Sequence, residues 1–443
     1  MPWEVDETRL RRVRDAMAEA GLDALVVRAP DNIHYLTNYW AMKGWEIAIF
    51  PRKGEPIVVA VEPQADNVGR NAWTDDLVFF RGFDLEDGRP PFIRALEAAI
   101  AVMKTRGHVG RIGVETSNAV QGPERMTGEP TVYWKGYFDA LAEAVDEVVD
   151  CTPLLTRLRM IKTGQEIERL RITNDLAAEA VQYVRDNIAV GMADAAVAAM
   201  YEGYVHSHGI GYRDTIEMAR AFTLVWSGPS IQTFTATKPT RVLEDAPTLM
   251  EIWTCADGYW NDLTKNACPG TLSPEYNDLL ELLLSIFDEA ARDYLAPGVS
   301  FADLDGFVRA RVAEGGYPGQ PSHFICHGVG SRAHEPPWAH PSTTEAMEPG
   351  MVLAFEPGIY WEGGGGLRRL LRRRVGANDR RRTHGCLAVV RPDLRASVRF
   401  RPVLSLPSPT GPGMPDSHYR VREYVTPWTD SSTCPRWRRR RDR

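Results

Sequence analysis

Residues 323–360 read HFICHGVGSRAHEPPWAHPSTTEAMEPGMVLAFEPGIY, and this stretch constrains the chain more than any other. It sets His327 and His334 seven residues apart in a glycine-rich setting, follows with Glu335, and ends in Phe355-Glu356-Pro357-Gly358. Upstream, Gly258-Tyr259-Trp260-Asn261-Asp262-Leu263-Thr264-Lys265 offers a second carboxylate among aromatic and polar residues. Imidazoles and carboxylates gathered from distant strands are the ligand set of a hydrolytic metal site.

A chain of 443 residues is comfortable for two domains. The body is acidic and the end is not. Residues 368–443 carry 20 arginines, no lysine and six acids, while the whole chain is net −7. A body of that sign does not attract nucleic acid. No apolar run is long enough to span a membrane. The first residues, MPWEVDETRLRRVRDAMAEAG, read as an amphipathic helix rather than a signal segment, which predicts a cytoplasmic protein. Cys151, Cys255, Cys268, Cys326, Cys386 and Cys434 form no CxxC pair, as expected of reduced thiols.

Up to about residue 155 the pattern alternates helix and strand, as in a small α/β domain. Leu10, Val13 and Met17 mark a helix over 6–20, and Leu22 to Val27 a strand. Trp45 to Phe50, the turn Pro51-Arg52-Lys53-Gly54, and Pro56 to Val61 predict a hairpin; Ile112 to Val114 is a further strand. Thr163 and Glu166 have the spacing of a capping box, so a helix is expected from there to about Ile188. Segments 191–209 and 298–316 share one plan: a glycine start, an acid in the first turn, a helix, and a terminal glycine. That echo suggests a pseudo-twofold catalytic domain with its site between the halves.

The linker LRMIKTGQEIERLR, the segment DGYWNDLTK, the HGVG…HE segment and EPGMVLAFEPGIY together resemble the creatinase, Xaa-Pro aminopeptidase and prolidase family. The resemblance covers roughly residues 6–367. It implies an α/β N-terminal domain over 1–155 and an α+β pita-bread catalytic domain over 156–367, ahead of an atypical tail, 368–443. It also implies hydrolysis of a C–N bond in a dipeptide or other small substrate, first of all as an Xaa-Pro-type metallopeptidase, by a homodimer. In the peptidases of this family two metal ions are held by Asp, Asp, His, Glu and Glu. By motif, Asp262, His327 and Glu356 take three of these positions, and Glu251 stands where the first Asp belongs, eleven residues before Asp262. Leu370 stands where the last Glu belongs, and a further family histidine is missing near Phe234 and Thr235. His323 and His334 resemble the family's substrate-binding or proton-shuttling histidines, and Arg368 is a candidate to bind a substrate carboxylate or brace a ligand.

The resemblance thus gives metal to Glu251, Asp262, His327 and Glu356, and catalysis to His323, His334 and Glu251. The expected ion is Mn²⁺, with Zn²⁺ and Co²⁺ as competitors, since oxygen-rich sites suit Mn²⁺. The departures at Glu251 and Leu370 keep two alternatives open. One is a metal-free hydrolase of the creatinase or ectoine hydrolase type, with Glu251 as a nucleophile. The other is an inactive, damaged copy. Glu251 also reads as an ordinary strand residue, His206 and His208 as helix-end residues, and Trp226, Trp253, Trp260 and Trp338 as core or pocket wall. After Leu367 the alternation needed for a closing strand vanishes into RRLLRRRVGANDRRRTHG. Arginine without lysine is what an out-of-frame reading of GC-rich DNA gives, so a frameshift near residues 367–370 is expected; the alternative is a disordered tail for anionic partners.

Overall fold

The structure, a computed structural model, describes residues 3–117, 133–232, 235–361, 363–368 and 387–389. Leu370, Phe234, Cys386, Cys434 and the predicted frameshift beyond Arg368 lie outside the described residues.

The chain opens with α1 (Glu7–Glu19), β1 (Ala24–Val27), α2 (Pro30–Thr37), β2 (Ile47–Pro51), β3 (Ile57–Val61), α3 (Ala65–Asn71), β4 (Leu77–Phe80), α4 (Pro91–Arg106), β5 (Arg111–Val114), α5 (Lys135–Ala144) and β6 (Glu147–Asp150). These build a mixed six-stranded sheet in the order β4-β3-β2-β1-β5-β6. The expected hairpin is β2 and β3, paired antiparallel with Ile47 opposite Val59. Strands β1, β2 and β3 are buried throughout, as their continuous Ile, Val and Ala runs require when helices cover both faces. Leu10, Val13 and Met17 of α1 are buried, so the spacing read from sequence is the packing face.

Next come α6 (Thr152–Met160), α7 (Gly164–Asn187), α8 (Asp194–His208), β7 (Ala219–Ser227), β8 (Thr248–Ala256), β9 (Tyr259–Ala267), α9 (Pro274–Asp293), α10 (Phe301–Glu314), β10 (Cys326–Gly328), β11 (Glu335–Trp338), β12 (Val352–Phe355), β13 (Gly358–Trp361), β14 (Gly365–Arg368) and β15 (Leu387–Val389). The capping box forms: Thr163 accepts from the Glu166 amide, and Glu166 reaches back to the Thr163 amide. The sequence echo corresponds to a repeated plan, two helices followed by an antiparallel sheet: α7 and α8 precede β7-β8-β9, and α9 and α10 precede β11-β10-β12. His206 and His208 do close α8, where the His208 ring stacks on Tyr204.

One expectation needs correction. The sequence shows no alternating run after Leu367 from which a closing strand is expected. Residues Leu387–Val389 supply one, pairing antiparallel with Val352 opposite Val389. Three residues satisfy the edge backbone groups of so short a strand, and three residues are too few to show alternation.

Candidate metal centre

Strands β8 and β9 meet through Asp257-Gly258, both with positive φ (42° and 78°), the left-handed pair that a two-residue hairpin turn demands. That turn fixes the register: Glu251 lies opposite Thr264, and Trp253 opposite Asp262. Residues two apart share a face, so Glu251, Trp253, Asp262 and Thr264 project together. All four are buried. The second half-domain contributes His327 from β10 and Glu356 just beyond β12, whose amide donates to the Ile325 carbonyl at 2.7 Å. The hairpin β13–β14 brings in Arg368, opposite Gly358.

The hydrogen bonding is unequal around Asp262. Its Oδ2 accepts from the Trp253 indole at 2.9 Å and lies 3.1 Å from His334 Nε2. Its Oδ1 is buried and has no partner, and the same holds for His327 Nε2 and Glu356 Oε1. His327 Nδ1 donates to the Gly328 carbonyl at 2.9 Å, which leaves its Nε2 lone pair facing Asp262 (3.6 Å) and Glu356 (3.9 Å). Ligand atoms of Asp262, His327 and His334 all lie within 4.8 Å of one another. Burial, then the neighbouring Glu356 and Glu251 carboxylates, push the Asp262 carboxyl well above its usual range, and burial pushes the His327 imidazolium down. Buried acceptors without a hydrogen-bond partner fit a cation, and the ligand atoms gathered around Asp262 and His327 fit one divalent ion at this point.

Glu251 is brought to the site and is held there by a cation of the protein. Arg368, buried, reaches its Oε1 at 3.1 Å, Glu356 Oε2 at 3.3 Å and Thr264 Oγ1 at 2.9 Å. Burial pushes the Glu356 carboxyl up, but Arg368 and the imidazoles outweigh it and hold the group at about 2. His323 Nδ1 donates to the Phe324 carbonyl at 2.8 Å, with Arg368 beside the ring; burial first, then that guanidinium, lower its pKa to about 3. Trp338 lies against His327 and stacks on His334. Trp253, read from sequence as core or wall, is also the hydrogen-bond anchor of Asp262; the signal was its place two residues after Glu251 on the same strand face.

Residues 168–370 match metallopeptidase family M24, and residues 9–161 match the creatinase/prolidase N-terminal domain. The chain belongs to the creatinase/prolidase family. Over 364 residues it is 22% identical to an uncharacterized peptidase, YqhT, of Bacillus subtilis, covering 81% of this chain and 93% of that protein. Over 367 residues it is 23% identical to an Xaa-Pro dipeptidase of Lactobacillus delbrueckii subsp. lactis, covering 81% and 92%. The solved structure of an Xaa-Pro dipeptidase from Bacillus anthracis superimposes with a TM-score of 0.67 at 20% identity, covering 82% and 92%, and shares the two-domain, pita-bread architecture. The creatinase/prolidase catalytic domain thus supplies both half-sheets from which the site is assembled.

Gly328 is a point where this family architecture tolerates no side chain. The β10–β11 register shifts between His327 and Gly328, and a Cβ on Gly328 would stand 2.2 Å from the Pro336 carbonyl oxygen. Gly328→Ala is therefore expected to push β10 and β11 apart. We expect a stability loss of about 1–3 kcal/mol from overpacking. The displaced histidines should cost about a hundredfold in kcat/KM. Urea denaturation and steady-state kinetics measure both, and a variant with unchanged kcat/KM would contradict the packing argument.

Proposed function

We propose that this protein is a metal-dependent hydrolase that cleaves the C–N bond of an Xaa-Pro dipeptide or an N-terminal Xaa-Pro unit. The observation that carries the reading is the unpartnered trio Asp262 Oδ1, His327 Nε2 and Glu356 Oε1. These three side chains would hold a divalent ion, Mn²⁺ in the first instance, because two of the three donors are carboxylate oxygens. When bound, such an ion supplies Lewis acidity toward a carbonyl and lowers the pKa of water. Trp253 fixes the Asp262 carboxylate through Oδ2, so Oδ1 keeps its aim. His327 offers Nε2 because its other nitrogen is committed to Gly328. His334, with 34% of its side chain exposed, is open to an entering substrate, and we assign it the proton delivered to the leaving nitrogen. His323 is neutral and contributes as a hydrogen-bonding group beside Arg368. Arg368 braces Glu251 and Glu356; its guanidinium is too buried to greet a substrate carboxylate.

An aromatic rim supports an apolar substrate residue such as proline. Phe222 stacks on Trp253, Phe324 packs against Trp338, and the two phenylalanines remain 37% and 46% exposed. The name of the Lactobacillus relative, Xaa-Pro dipeptidase, supports the same substrate class. We further propose a cytoplasmic homodimer. Cys151, Cys268 and Cys326 are free, in keeping with a reducing compartment, and among the described residues no helix is long and apolar enough to cross a membrane.

Hydrolysis of Ala-Pro and other Xaa-Pro dipeptides by the full chain tests the reading. We expect activity that falls at least tenfold after chelator treatment and returns with Mn²⁺. Turnover indifferent to chelator would transfer the assignment to a metal-free hydrolase, and no turnover with Mn²⁺ present would refute a peptidase.

A further inference from the structure

The family's paired-ion arrangement does not fit the second half of this site, and a fixed cation already stands there. Arg368 is 3% exposed, and its two terminal nitrogens reach different carboxylates, Glu251 at 3.1 Å and Glu356 at 3.3 Å. A guanidinium bridging two acids offers the planar, permanently charged fork that a lysine lacks. Thr264 Oγ1 accepts a further bond from it at 2.9 Å. The arginine's position is set by backbone, not by a pliable loop. Its carbonyl accepts from the Asn266 side chain, and it pairs with Gly358 across the β13–β14 hairpin. That hairpin in turn closes on Gly365, where a Cβ would meet the Gly228 carbonyl oxygen at 2.2 Å.

The charges decide what else the site accepts. Glu251, Asp262 and Glu356 are the buried carboxylates of the cluster, and position 370, where the family resemblance implies one more acid, is leucine. One divalent ion and one guanidinium balance three carboxylates. A second ion would leave two uncompensated positive charges in a buried site, which low polarity does not tolerate. Asp262 Oδ1, His327 Nε2 and Glu356 Oε1 are unpartnered, whereas Glu251 Oε1 and Glu356 Oε2 are occupied by Arg368.

We infer that this protein binds a single divalent ion per chain, at Asp262, His327 and Glu356, and that Arg368 serves as the fixed cation in place of a second ion. The inference rests on the metal-dependent reading above and narrows it. Arg368 is a positioning residue here: it orients Glu356 and neutralises Glu251.

Mn²⁺ titration of the purified full chain, read by elemental analysis and electron paramagnetic resonance, separates the two claims. One Mn²⁺ per chain with the spectrum of isolated ions supports the inference. Two per chain with a spin-coupled spectrum overturns it and leaves the metal-dependent reading standing. No Mn²⁺ on the folded chain overturns both. In Arg368→Gln the carboxylates lose their cation, so stoichiometry should rise toward two, whereas Arg368→Lys should stay at one. A folded Arg368→Gln that still binds only one ion would remove Arg368 from the role. Should Arg368→Gln fail to fold, the count on the parent chain decides alone.

Discussion

Asp262→Asn should nearly abolish hydrolysis and, at the same time, make the metal-free protein more stable. The carboxylate lies in the interior with Oδ1 unpartnered and with Glu251 and Glu356 as close neighbours. A charge kept there without a counter-ion is a cost carried for function. Losing one oxygen ligand removes several kcal/mol of assistance to the reaction, or about a thousandfold in kcat/KM. Losing the charge removes its burial cost and its repulsion with Glu356 and Glu251, which should raise metal-free stability by about 1–2 kcal/mol. Mn²⁺ should invert the order, because an ion bound only by the folded parent stabilises it by mass action. Thermal melts of both proteins with chelator and with Mn²⁺, beside kcat/KM on an Xaa-Pro dipeptide, give the full comparison. A variant that keeps a tenth of the activity, or melts lower than the parent in chelator, would mean that Asp262 is an ordinary buried residue.

That asymmetry around Asp262 was only half legible in the sequence. Motif spacing pointed to His327, Glu356 and Asp262 because their local segments are short and rigid: a bulged strand, a Glu-Pro-Gly exit, and a hairpin closed by Asp257-Gly258. The Thr163–Glu166 cap was readable for the same reason, since its partners are three residues apart. Contacts between distant segments were not readable. The Arg368–Glu251 pair spans 117 residues, and nothing near either residue announces the other. The sequence left Glu251 open as ligand, nucleophile or strand residue; its pairing with Arg368 is visible only in the folded chain. The two-residue period of β8 did carry Trp253 onto the face of Asp262, but only register, a tertiary property, shows which partner it meets. Strand β15 was missed because pairing with an exposed edge makes little demand on sequence when only three residues take part.

Arg159→Met should be the most destabilising change outside the site. Arg159, on α6, is 5% exposed and joins the sheet domain to the catalytic segment. One nitrogen pairs with Asp31 and, at 2.9 Å, with Asn32 of α2; the other reaches Glu335 Oε2 at 2.9 Å. Lys162 holds the second Glu335 oxygen at 2.6 Å, and Arg332 also pairs with Asp31. Methionine keeps much of the stem's volume, so the loss is electrostatic rather than a cavity. Removing one member of a buried ion cluster leaves charges short of a partner, at about 3–5 kcal/mol. Because Glu335 follows His334 directly, kcat/KM should fall as well, while Mn²⁺ stoichiometry stays unchanged. The pH dependence has a definite sign. Burial raises the Asp31 carboxyl, but Arg332 and Arg159 outweigh it and hold it well below the usual carboxylate range. A depressed acid contributes stability that is present above its unfolded pKa of about 4 and is lost as pH falls toward the folded value. The gap between parent and variant in urea denaturation should therefore be widest near neutral pH and narrow below about pH 4. A gap under about 1 kcal/mol at neutral pH would place Arg159 with ordinary surface ion pairs. A gap that widens in acid would overturn the ion-pair account for both carboxylates, because Glu335, which despite its burial Lys162 and Arg159 hold below its usual range, predicts the same sign as Asp31.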